Sequence, residues 1–138
     1  MSTPQATLPS IALLSTDLFF ATKLRAAAAR LERPLRVLAD AAELGGMEPP
    51  CLVLIDLETP ALDIEACIEE ARRHTGTAPL IAFGRHTHRE QLERAKAAGC
   101  AEVLTRSDFV AQLGDILRLA GAAPSSRSGM SGEKASSS

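Results

Sequence analysis

Pro50-Cys51-Leu52-Val53-Leu54-Ile55-Asp56-Leu57-Glu58-Thr59-Pro60 is the stretch on which the rest of the chain turns. Cys51 to Ile55 is apolar at every position, without the alternation of a strand that shows one face to water. The run therefore predicts the central strand of a parallel sheet covered on both faces, with Asp56 standing at its carboxyl end.

Four more short apolar runs flank it: Ile11-Ala12-Leu13-Leu14, Leu35-Arg36-Val37-Leu38, Leu80-Ile81-Ala82-Phe83 and Glu102-Val103-Leu104. Segments of helical period separate them. Phe20, Leu24, Ala27, Ala28 and Leu31 recur at three- and four-residue steps behind Asp17, a side chain placed to cap a helix start, and Arg33-Pro34 closes the segment. Asp40 to Leu44 offers little more than one turn before Gly45-Gly46, so a loop is expected to replace much of the second helix. Ile64, Cys67, Ile68 and Ala71 follow Asp63 as a cap, and Leu92, Ala95 and Ala98 make a stripe that stops at Gly99. Phe109, Leu113, Ile116, Leu117 and Ala120 line a last helix. Five strand–helix pairs at this length have few right-handed, unknotted solutions. The commonest is a doubly wound α/β sheet of order 2-1-3-4-5, the flavodoxin-like arrangement, with its crevice at the carboxyl ends of the first and third strands. Ser15, Thr16 and Asp56 are the residues expected there.

Composition bounds the rest. At 138 residues, 46% hydrophobic and 23% charged, the chain suits one globular domain over residues 10–121, with a disordered N-terminus over 1–9 and a disordered Ser/Gly/Ala-rich tail over 122–138. Fifteen basic against 17 acidic residues leave a net charge of -2, which supplies no bulk field for a phosphate backbone or an anionic membrane. Four phenylalanines, with no Trp or Tyr, also make a poor base-stacking platform. No apolar run approaches membrane-spanning length and Met1 to Ser10 lacks the pattern of a signal peptide, so a cytoplasmic protein without membrane insertion or nucleic-acid binding is expected. Cys51, Cys67 and Cys100 are odd in number and far apart, and read as small apolar residues rather than as disulfide or metal partners.

The quoted stretch resembles the strand, phospho-accepting aspartate and Asp-x-x-x-Pro turn of bacterial response-regulator receiver domains. Ala97-Ala98-Gly99-Cys100-Ala101-Glu102-Val103-Leu104-Thr105-Arg106 is similar to the segment leading into and through that family's fifth strand. The likeness extends over roughly Ser10 to Gly121. It implies a phosphorylation site with Asp56 as acceptor, an acidic pair after the first strand holding magnesium, a hydroxyl after the fourth strand and a lysine after the fifth.

At those positions the chain departs from the pattern. Ser15 and Thr16 replace the acidic pair, and neutral hydroxyls do not offset the cost of partly dehydrating magnesium as carboxylates do. Asp17 is expected to face the helix that it caps. Gly84 stands at the hydroxyl position, Arg106 at the lysine, Ser107 at the usual proline, Val103 at the switch aromatic and Ile64 at a common glycine. Without magnesium, in-line transfer to Asp56 loses its main electrostatic stabiliser. The set implies a degenerate pseudo-receiver with no cofactor, magnesium being weakly held or absent, which is not an enzyme and acts by binding a protein in bacterial signalling or protein localisation. The two other readings are an atypical phospho-acceptor receiver using Asp56, and a sensor binding an anion or small ligand at the crevice near Arg106. Homodimerisation is left open.

Several features have plainer readings. Asp56 is expected to pair with Arg106 across the crevice as a structural salt bridge. Arg85-His86-Thr87-His88-Arg89 lacks a third metal ligand and reads as a solvated or partner-facing loop. Arg72-Arg73-His74 suits the end of a helix, where cations complement the dipole. Phosphate-loop, dinucleotide and nucleophile-elbow motifs are missing from the sequence. By resemblance, the face presented to a partner comprises Gln91, Arg94, Val103, Thr105 and Gln112.

Overall fold

Residues 10–121 are described in the computed structural model. Five parallel strands, β1 (Ile11–Leu14), β2 (Leu35–Leu38), β3 (Leu52–Asp56), β4 (Leu80–Gly84) and β5 (Glu102–Thr105), form one sheet in the order β2-β1-β3-β4-β5. The flavodoxin-like order expected from the alternation is therefore the one found. Every residue of β1, β3 and β4 is buried, whereas the edge strands β2 and β5 keep exposed or half-exposed positions. The burial of β3 on both faces is the physical counterpart of its unbroken apolar run.

Side chains that alternate along the strands feed two cores. Ile11, Leu13, Leu52, Leu54, Ile81 and Phe83 point to one face and pack under α1 (Leu18–Arg30), α4 (Arg106–Ala111) and α5 (Leu113–Gly121). Ala12, Leu14, Val53, Ile55, Leu80 and Ala82 point to the other, under α2 (Ile64–Thr75), α3 (Arg89–Ala97) and a short 3-10 helix, Ala41–Gly46. On the first face Phe20, Phe83 and Phe109 form a ring cluster, with Phe83 and Phe109 stacked at 4.2 Å between centroids and Phe20 tilted against both.

Asp17 and Asp63 cap their helices, accepting the N–H of Phe20 at 3.0 Å and of Ala66 at 3.1 Å. The weak second helix is the 3-10 turn, capped by Asp40 through the N–H of Ala42. Two expected helices differ in detail. Leu31 does not join the buried stripe: α1 stops at Arg30, Leu31 is its exposed C-cap, and Glu32 takes a left-handed φ of 58° that turns the chain toward Pro34. The last helix is two, broken at Gln112, where an exposed polar side chain is followed two residues later by the poor helix former Gly114. The break leaves Phe109, Ile116 and Leu117 all in the core; the side chain of Ala120, expected on the same stripe, lies outside the described residues, as do the ends expected to be disordered.

Cys67 is buried, and Cys51 and Cys100 are half-buried against the two cores. Burial pushes the Cys67 and Cys100 thiols up to about 11, which suits apolar filler rather than nucleophiles. Among the described residues no helix is long and apolar enough to cross a membrane.

Candidate functional site

The carboxyl ends of β1, β3 and β4 bring Ser15, Asp56 and Gly84 to one end of the sheet, where the winding reverses. Asp56 is the last residue of β3 and is 3% exposed. Its two carboxylate oxygens are both occupied by donors of the chain: Ser15 Oγ donates to Oδ2 at 2.7 Å, and the Glu58 N–H donates to Oδ1 at 2.9 Å. Ser15 in turn accepts the N–H of Asp17 at 3.0 Å, so one hydroxyl ties the buried carboxylate to the start of α1. The following turn is closed by Thr59, whose hydroxyl and N–H both donate to the Asp56 carbonyl. Thr16 is exposed.

Arg106 does not pair with Asp56. Its guanidinium donates to Asp17 Oδ2 at 2.8 Å and lies 4.0 Å from the centroid of the Phe20 ring. The expected Asp56–Arg106 bridge is thus replaced by an Asp17–Arg106 bridge, and the reason is desolvation. Asp17 and Arg106 both keep about a third of their side-chain surface in water, and the Phe20 face supplies a cation–π platform; Asp56 is buried and already satisfied. Asp17 faces the helix it caps, as its position implied. The Phe20 N–H, and then the Arg106 guanidinium, hold its carboxyl below the usual range.

A second clamp crosses the crevice on the β4 side. Glu58 accepts the N–H of Arg85 at 3.0 Å and meets His88 Nδ1 at 2.9 Å, fastening the turn after β3 to the loop after β4. Burial pushes the Glu58 carboxyl up, but the Arg85 N–H and the His88 hydrogen bond outweigh it and leave the group below its ordinary value. Gly84 belongs to this clamp. A Cβ there would stand 3.2 Å from Glu58 Oε2 and 3.3 Å from Leu57 Cβ, so the missing side chain is the space that the Glu58 carboxylate uses. The loop from Arg85 to Arg89 is exposed, as expected, though His88 is pinned to Glu58. Arg72 donates to the Gly76 and Ala78 carbonyls just beyond α2, which agrees with a helix-ending role.

The residues named as a partner face come from three neighbouring elements, α3, β5 and the end of α4. Val103 and Thr105 of β5 border a hollow against α3 with His86, Arg89, Leu92 and Lys96. Arg94 turns the other way and forks onto Glu65 of α2 at 2.6 and 2.9 Å, with half-buried Gln91 one helical step before it. Gln112 is the exposed C-cap of α4. The roles of Glu58 and Phe20 at the crevice are not legible in the sequence. Glu58 lies within the stretch that decided the fold, but its partners are 27 and 30 residues away, and no local spacing announces them.

No family model matches the sequence, and no curated protein matches it. Solved structures do. The receiver domain of a sensor histidine kinase from Pseudomonas aeruginosa, solved with magnesium coordinated in its active-site cleft, superposes with a TM-score of 0.68 at 21% identity, covering 83% of this chain and 99% of that one. The chain has the receiver fold. A receiver domain protein from Methanospirillum hungatei (TM-score 0.66, 16% identity, 83% and 97% covered) and the receiver domain of NtrX from Brucella abortus (0.65, 16%, 83% and 100%) share it. At these identities the likeness is one of fold.

On this receiver fold the residues at the crevice do not fit a magnesium ion. Magnesium asks for oxygen ligands in near-octahedral array, with carboxylates to offset its dehydration. Asp56 is the one carboxylate buried there, and Ser15 occupies one of its oxygens. The carboxylate of Asp17 is committed to the Phe20 N–H and Arg106. Among the described residues no group of three His, Cys, Asp or Glu side chains could hold a metal.

Proposed function

We propose that the chain is a pseudo-receiver that acts by binding protein in a signalling or localisation pathway, without a phosphorylation cycle, a metal cofactor or a catalysed reaction. The observation that carries this reading is the satisfaction of Asp56 from within: Ser15 Oγ and the Glu58 N–H hold its two oxygens, while the cation at the position of the family's lysine is drawn away to Asp17. A phospho-acceptor needs a nearby positive charge aimed at the transferring group. Here the guanidinium is stacked on Phe20 and paired elsewhere. Gly84 contributes space to the Glu58 clamp rather than a hydroxyl. The crevice is thereby bridged by structural contacts from β1, β3 and the loop after β4, an arrangement suited to a fixed shape rather than a switching one.

The test is an amide NMR titration of the whole chain with magnesium and then beryllofluoride, set beside Asp56→Asn. Spectra that do not change are expected. Saturable shifts at Asp56, Gly84 and Arg106 that vanish in the variant would restore a phosphorylation switch and sink the proposal.

A further inference from the structure

The chain carries a net charge of -2, yet one hollow on its surface is lined by cations and by no carboxylate. This open hollow, about 700 Å³, lies between α1, the loop after β4 and the start of α4. Lys23 comes from α1, Arg85 and His86 from the loop, and Arg106 from α4. Of these, Arg106 pairs with Asp17, and Arg85 lies near enough to Glu58 to help hold that carboxyl down, while Lys23 forms no ion pair among the described residues. Like charges gathered in a concave site repel one another and raise the local concentration of anions.

The rim has a second character. Phe20, Phe83 and Phe109 are buried in the ring cluster, but Phe19 is 92% exposed. Phe19 and Lys23 stand one helical turn apart, on the same side of α1. Across the hollow, Val110 is 46% exposed. Large apolar groups at the edge of a cationic hollow match a ligand that carries carboxylates and apolar side chains together. A small inorganic anion would use the charge and leave Phe19 and Val110 in water. Nucleic acid would want the aromatic ring flanked by a long basic track, whereas the chain as a whole is acidic.

We propose that this hollow docks an acidic peptide segment of a partner protein, its carboxylates toward Lys23, Arg85 and Arg106 and its apolar side chains against Phe19 and Val110. The inference rests on the reading of the chain as a protein-binding module and names the chemistry of the partner. The site is continuous with the hollow beside β5, because His86 and Thr105 border both.

The test uses the full chain, isotope-labelled, and a synthetic peptide in which Glu-Asp pairs alternate with Leu and Phe. The controls are the same peptide with Gln and Asn for its acids, vesicles of phosphatidylglycerol, and a single-stranded DNA oligonucleotide. The acidic peptide is expected to give saturable shifts at Phe19, Lys23, Arg85, His86, Arg106 and Val110 that fade as salt is raised. The double variant Lys23→Glu, Arg85→Glu, with its spectrum still native, should weaken binding about tenfold or more, since two attractions become repulsions. Phe19→Ser should weaken the acidic peptide and leave the variant's own spectrum folded. Absence of saturable shifts, equal binding of the uncharged peptide, or tighter binding of vesicles or DNA at these residues would overturn the proposal. Shifts confined to Val103, Leu92 and Lys96 would also overturn it while leaving the protein-binding reading standing. That reading fails separately, through a beryllofluoride response at Asp56.

Discussion

Arg106 and Phe20 are stacked, the guanidinium 4.0 Å from the ring centroid, and the same guanidinium donates to Asp17 at 2.8 Å. One side chain thus joins the start of α4 to both the cap and the first turn of α1. Replacing Arg106 by Lys keeps the charge but loses the planar fork and the flat face that stacks on the ring, and the partly exposed site limits the loss to about 1 kcal/mol. Arg106→Ala should cost slightly more through lost packing over Phe20. Far-ultraviolet circular dichroism in urea measures both, since the chain has no Trp or Tyr to report by fluorescence.

Ser15→Ala removes the donor to Asp56 Oδ2 and leaves a buried carboxylate oxygen unpaired. A loss of about 1-3 kcal/mol is expected, the size of an unmet buried hydrogen bond. Asp56→Asn should be milder than Asp56→Ala, because its amide retains an oxygen that can accept one of the two present donors. An order in which Asp56→Ala is the least damaging would show that these bonds do not hold the crevice together.

Ser15→Asp sets a second carboxylate against Asp56. Without metal the like charges should destabilise the fold at neutral pH, and added magnesium should recover stability, because two carboxylates supply what one cannot. Thermal unfolding with and without magnesium measures this. A variant whose midpoint ignores magnesium would count against the lack of carboxylates at Ser15 as the ground for expecting weak magnesium binding.

Gly84→Ser adds a Cβ 3.2 Å from Glu58 Oε2 and 3.3 Å from Leu57 Cβ. Overpacking of this kind costs about 1-3 kcal/mol, and the amides of Arg85 and His88 should shift as the clamp loosens. Glu58→Gln combined with Gly84→Ser should cost less than the sum of the two, since both act on one contact.

Asp17 and Glu58 are both held below their ordinary carboxylate values in the folded chain. Such groups contribute stability that is fully present above their unfolded values, about pH 4, and that is lost as pH falls through the lower folded values. Stability should therefore drop on the acid side below about pH 4. Asp17→Asn and Glu58→Gln should each flatten that drop while lowering stability near neutrality. Urea unfolding from pH 3 to pH 7 gives the slopes.

What the sequence determined by itself is what depends on near neighbours and on period. The apolar run from Cys51 to Ile55, the helical stripes and the caps at Asp17 and Asp63 specify strands, helices and their alternation, and handedness rules leave one common winding order. The position of Asp56 at the crevice followed from that order, and the hydroxyls of Ser15 and Thr16 in place of carboxylates are read directly from the residues. The tertiary structure decided which charges meet. Arg106 chooses Asp17 over Asp56 because one carboxylate stays partly in water beside an aromatic face and the other is buried and satisfied, a balance of desolvation that no spacing encodes. Glu58 reaches Arg85 and His88 across the crevice, and Gly84 makes room for it, because the sheet brings β3 and β4 together in register. Likewise Lys23, Arg85, His86 and Arg106 are scattered along the chain and become one cationic hollow only when the sheet is wound.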